Sequence, residues 1–137
     1  MQYKQLAKYP HLGPEDAKIW DTFIQNNPEY FESVEYDLRV GEGRDYSEHP
    51  DDQYKADMIH LSKKRIDVVG FRLNEIYIIE LKPNANMSAI GQVVGLTKLY
   101  QAENKTTRKI YPVIITDEIL PDMANLCGQM GVLIYLA

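Results

Sequence analysis

The sequence holds one cysteine, Cys127, and three histidines in 137 residues. A single thiol makes no internal disulfide, which excludes a disulfide-stapled secreted scaffold. Cys127 has no catalytic partner in view and reads as a core residue. His11, His49 and His60 lack metal-ligand spacing and are assigned no role. No apolar run approaches the ~20 residues that span a bilayer. The opening MQYKQLAKYPHLGPED has no signal-like apolar stretch. The expected setting is reducing and cytoplasmic, with no membrane partner. No internal repeat or low-complexity tract is visible. Positive charge is also short: 15 Lys and Arg against 20 Asp and Glu leave a net charge of −5. That sign at first argues against a nucleic-acid partner.

What is present points elsewhere. Apolar residues make up 45% of the chain, enough for a real core in one domain, 1–137. The charge is uneven. Residues 1–58 carry 6 basic and 13 acidic side chains, residues 59–109 carry 9 and 4, and residues 110–137 carry 0 and 3. The basic middle third, from Lys63, Lys64 and Arg65 to Lys98, Lys105, Arg108 and Lys109, is expected to surround whatever site it contains.

Periodicity predicts a helix over Pro14–Asn27, with proline at a first helical position and Ala17, Trp20, Phe23 and Ile24 on one face. Strict alternation predicts a half-buried strand over Ser33–Val40. Gly41–Asp57 reads as a long polar loop. Arg65–Phe71 and Ile76–Lys82 read as strands joined by a tight turn at Leu73-Asn74. A helix capped by Asn86 or Ser88 runs to about Glu103, and Gly91 and Gly95 would let it approach a sheet closely. Val113–Thr116 is a short strand started by Pro112. Pro121–Gln129 is a helix and Val132–Leu136 a last strand. The order predicts an α/β fold with a mixed β-sheet and helices on its faces.

The chemistry-bearing stretch is RIDVVGF followed by IYIIELK. Glu80 and Lys82 are two apart on a strand and share a face. A turn centred between residues 73 and 74 sets Phe71 against Ile76, Val69 against Ile78, and Asp67 against Glu80, while a slip of two residues would set Asp67 against Lys82 and keep all three on one face. Two carboxylates with Cβ atoms ~5 Å apart repel unless a cation lies between them. Mg²⁺ (or Mn²⁺) suits that gap, since it takes one or two carboxylates plus waters and a substrate phosphate. The tripeptide of acid, any residue and lysine is cheap. It recurs at Asp16-Ala17-Lys18 and Glu103-Asn104-Lys105, both on helix surfaces. An ordinary salt-bridged strand end is the competing reading.

At these residues the chain resembles the PD-(D/E)xK nuclease superfamily: Asp67 on one strand, Glu80-Leu81-Lys82 on the next, then a helix. The resemblance implies a restriction-endonuclease-like αβββαβ core. It implies that Asp67, Glu80 and the Leu81 carbonyl hold the metal and that Lys82 serves catalysis. The proline of the family's name is absent, since Ile66 precedes Asp67. Some members carry a glutamine on the following helix, and Gln92 sits at that place, though Leu96 stands where a tyrosine often follows. Gln92 is otherwise a solvated helix residue. Some members also use an acid from the first helix. Asp16 lies there, but an acid at a helix N-terminus ordinarily serves the dipole. That reading is preferred, and whether Asp16 joins the site is left open. The expectation is a Mg²⁺-dependent nuclease hydrolysing DNA phosphodiester bonds, with a protein partner or homodimer as a further possibility. The alternative is a catalytically inactive nucleic-acid- or protein-binding module of the same fold.

Overall fold

The computed structural model describes all 137 residues. Helix α1 (Pro14–Asn26) starts on its proline and buries Ile19, Trp20, Phe23 and Ile24. Strand β1 (Ser33–Val40) follows. Helix α2 (Asp52–Ser62) begins inside the predicted long loop and runs beyond its end. It is capped by Asp51, whose carboxylate accepts from the Tyr54 amide at 3.0 Å, but it buries no residue. A helix without a buried face has no apolar period to read, so sequence patterning missed it.

Strands β2 (Lys64–Arg72) and β3 (Glu75–Leu81) form the expected hairpin. Helix α3 (Met87–Glu103) is capped by Asn86, which accepts from the Ala89 amide at 3.0 Å. Strand β4 (Lys109–Thr116), helix α4 (Pro121–Gln129) and strand β5 (Leu133–Leu136) complete the chain. Strand β4 begins before Pro112 rather than on it. Strand β5 pairs with β4 only from Val113 onward, so Pro112 lies where β4 has a neighbour on one side only. There its missing N–H costs little.

The five strands lie in sequence order. β1–β2 and β2–β3 are antiparallel, while β3–β4 and β4–β5 are parallel, as the α3 and α4 crossovers require. One face carries α1 and the N-terminal segment, packed on Val34, Val68, Tyr77 and Ile79. Gly70 makes this packing possible: a Cβ there would stand 2.5 Å from the Phe31 ring. The other face carries α3, against Ile66, Val69, Ile76 and Ile78, and α4 beside it through Cys127, which is fully buried. This is an α/β fold with a mixed sheet and helices on both faces, as predicted. No helix is long and apolar enough to cross a membrane.

Candidate functional site

The β2–β3 ladder has the register read from the turn: Phe71 opposes Ile76, Val69 opposes Ile78, and Val68 opposes Ile79. One more step sets Asp67 beside Glu80, but formed pairing stops before it. The β1–β2 ladder likewise pairs Tyr36 with Val68 and Leu38 with Ile66, and skips Asp37 opposite Asp67. Three acids, Asp37, Asp67 and Glu80, therefore form a row across three neighbouring strands. Like charges set opposite each other destabilise a sheet, and the pairing gives way at that row.

The Asp67 carboxylate takes over part of the lost ladder. Its Oδ2 accepts from the Leu81 amide at 3.0 Å, which fixes the side chain beside the Glu80-Leu81 backbone. Glu80 belongs to none of the chain's ion pairs. Burial, above all, pushes both acids up. Asp67 rises to about 6, further raised by Asp16 and Asp37 and opposed by the Leu81 amide and Arg65. Glu80 rises to about 8, further raised by Asp67 and Asp16 and opposed by Lys82. Glu80 therefore favours its protonated form near neutrality.

Both acids open onto a cleft of about 650 Å³ between the sheet and α3. Gln92 lines it, together with Gly91, Gly95, Lys64, Arg65 and Lys98. The structure thus brings Asp67, Glu80 and Gln92 to one cavity. Gly91 and Gly95 play a different part from the expected close packing: a Cβ at either would meet nothing within 4 Å, so they leave the helical wall of the cleft bare. Lys82 lies just beyond β3, where its amide still donates to the Ile115 carbonyl at 3.1 Å. It makes no ion pair, and its charge lowers the pKa of both Glu80 and Asp16. Asp16, on the first turn of α1, is half-buried and acts on both Asp67 and Glu80. The dipole reading of Asp16 therefore leaves out its nearness to the site. Its place on the Trp20 face was the available signal.

The basic surface forms only in part. Lys64, Arg65 and Lys98 reach the cleft, but Arg108 stacks over Phe71 and Lys109 stands opposite Glu75 in the β3–β4 ladder, at the far end of β3. Sequence proximity put them together, and the length of the strand separates them.

The donor set suits a hard divalent cation. Two carboxylates stand on adjacent strands, one anchored by a backbone amide, and their proton affinity is raised first by burial and then by the negative charge of neighbouring acids. A cation between them offsets that charge. No histidine or cysteine joins them, and no three His, Cys, Asp or Glu side chains converge on one point. Mg²⁺ asks for no more than one or two protein carboxylates, with water completing its shell.

No protein-family model and no curated sequence matches the chain. Solved structures do resemble it. A repair endonuclease from Pyrococcus abyssi superposes with a TM-score of 0.53 at 16% identity, covering 96% of this chain and 49% of that one. EndoMS in complex with double-stranded DNA superposes with a TM-score of 0.55 at 15% identity, covering 97% and 49%. The fold is therefore the restriction-endonuclease-like one that the sequence predicts. The chain spans about half the length of these two proteins.

Proposed function

We propose that the chain is a metal-dependent nuclease that hydrolyses DNA phosphodiester bonds, with Asp67, Glu80 and the Leu81 carbonyl as the metal-holding set. One observation carries this reading. Two half-buried, mutually repelling carboxylates lie on adjacent strands and open onto a cleft edged by three cations. A sheet gains nothing from that pair unless a cation joins it. The likeness of the fold to a repair endonuclease and to a DNA-bound EndoMS supports the substrate class.

Mg²⁺ (or Mn²⁺) bound here would supply Lewis-acid stabilisation and lower the pKa of a coordinated water. The chain's own groups have distinct tasks. The Leu81 amide fixes the Asp67 carboxylate. Lys82 places a positive charge on the flank of Glu80, where it offsets negative charge on the phosphate as the bond breaks. Gln92 offers an amide to orient water or a phosphate oxygen from the opposite wall. Asp16 adds negative charge that strengthens the pair's hold on positive charge.

The test is incubation of the chain with linear, circular and single-stranded DNA in Mg²⁺, in Mn²⁺ and in chelator. Cleavage in either metal and none in chelator is expected. DNA binding without cleavage in any of these would overturn the nuclease and leave a binding module.

A further inference from the structure

Asp37 is a costly residue where it stands. Along β1, Val34 and Tyr36 pack on the α1 side of the sheet, whereas Leu38 and Val40 pack on the α3 side. Strict alternation forbids this, and the strand reverses its faces at Asp37, whose φ is +54°. A left-handed residue inside a strand costs about 1 kcal/mol even for aspartate, one of the few side chains that tolerates it. The carboxylate delivered this way is nearly buried, with its side chain 14% exposed. Its Oδ2 lies 3.2 Å from His11 Nε2 and its Oδ1 lies 3.1 Å from Arg65 Nε. The Arg65 contact is an ion pair without hydrogen-bond alignment, so Oδ1 is buried with no hydrogen bond.

Arg65 is the useful end of this arrangement. It lines the cleft with Asp67 and Glu80, and its side chain is 45% exposed. Its one ion pair is made at Nε, by Asp37. The two terminal nitrogens keep their donors. A guanidinium whose Nε rests against a fixed anion is restrained in place by charge, and its planar fork matches two oxygens of one phosphate.

We propose that Asp37 is a positioning residue, which holds Arg65 at Nε so that its terminal nitrogens grip a backbone phosphate of DNA lying in the cleft. This rests on the nuclease reading for the identity of the ligand and adds to it the group that sets the strand's place. Charge alone gives the opposite expectation for Asp37. A fixed anion beside the cleft repels a polyanion, so removing it should tighten DNA binding. The positioning role predicts that removing it loosens binding, because an untethered arginine must be ordered by each bound phosphate.

The experiment is the binding of a short DNA duplex to the full chain in chelator at low salt, for the parent, Asp37→Asn, Arg65→Gln, Arg65→Lys and the Asp37→Asn/Arg65→Gln double variant. Asparagine keeps the shape of aspartate and its tolerance of the left-handed region while losing the charge. Asp37→Asn is expected to bind about 3- to 10-fold more weakly, the scale of one ordinary hydrogen bond. Arg65→Gln should weaken binding at least as much. Arg65→Lys should fall nearer Arg65→Gln than the parent, since it restores charge without the fork. In the Arg65→Gln background, Asp37→Asn should weaken binding no further. Should Asp37→Asn lower the melting temperature enough to blur the comparison, Asp37→Gly removes the carboxylate and the backbone strain together, and the same loss is expected.

Parent-like or tighter binding by Asp37→Asn, or losses that multiply in the double variant, would overturn this role and leave the nuclease reading standing. A parent that binds no duplex would also overturn this role, and cleavage in Mg²⁺ or Mn²⁺ would still decide the nuclease reading.

Discussion

Lys82 and Glu80 share a strand end and a motif, yet opposite outcomes are expected of their substitution. Glu80→Gln and Asp67→Asn each remove a charged oxygen from the proposed metal-holding pair, so Mg²⁺ affinity measured by calorimetry should fall in both. Lys82→Ala removes no oxygen and takes away a cation that opposes the metal. Its Mg²⁺ affinity should hold or rise while DNA cleavage drops by ~10²-fold or more, the scale for losing a preorganised stabiliser of transition-state charge. Parent-like cleavage by Lys82→Ala would make the lysine a bystander. The same pair of acids sets a pH dependence. Asp67 and Glu80 have folded-state values raised to about 6 and about 8, above their unfolded values, so the folded protein holds more protons than the unfolded chain across that range. Stability in chelator should therefore fall as pH rises from about 4 towards 8. Glu80→Gln removes the larger part of this penalty. In chelator at pH 8 to 9 it should be more stable than the parent by about 2–4 kcal/mol, with the gap closing near pH 5. Melting curves in chelator read this directly, and a parent that melts higher at pH 8 than at pH 5 would contradict it.

The elements around the site differ in how much their sequence discloses. On α3, Gly91 and Gly95 are exposed, and a Cβ at either has open space. Each Gly→Ala change should therefore stabilise the helix by about 0.5–1 kcal/mol, visible as a rise in melting temperature. A loss of stability would mean that the helix packs closer than described. The rim of α3 is thus less stable than it need be, at the wall that faces the two carboxylates. Asn86 was legible as its cap because a side-chain acceptor one residue before a helix is a local signal. The β2–β3 register was legible too, since a tight turn and apolar cross-strand pairs fix it and carry Asp67 to Glu80. Strand β1 was legible in its ends but not in its faces. Its alternation is regular from Ser33 to Val40, and nothing in it marks the reversal at Asp37. A single left-handed residue leaves no periodic trace, so the Asp37–Arg65 pair could be found only in three dimensions. Helix α2 escaped for a related reason: its stability comes from its own cap and turns rather than from a buried face.

At the scale of the whole molecule, the net charge of −5 and the proposed polyanionic ligand pull in opposite directions. What decides binding is the local field, and the cleft gathers three cations, Lys64, Arg65 and Lys98, at its edge. Each phosphate contact made by a cation releases condensed counterions, which contributes about −0.9 to the slope of log affinity against log salt. Three contacts predict a slope near −3 and a fall of about 40-fold between 50 and 200 mM salt. Arg108 and Lys109 sit at the other end of β3, so they should not add to it. Had they joined the cleft as their place in the sequence suggested, the slope would approach about −4.5. Duplex binding in chelator across that salt range distinguishes the two values. Lys109→Glu is the internal control. It should leave the slope unchanged, because Lys109 lies beside Glu75 and Asn74 rather than beside the acids. Lys98→Glu should reduce the slope by about 1. A slope that responds equally to both substitutions would show that DNA lies along the whole strand edge rather than in the cleft, and the active-site assignment would then lack its substrate path.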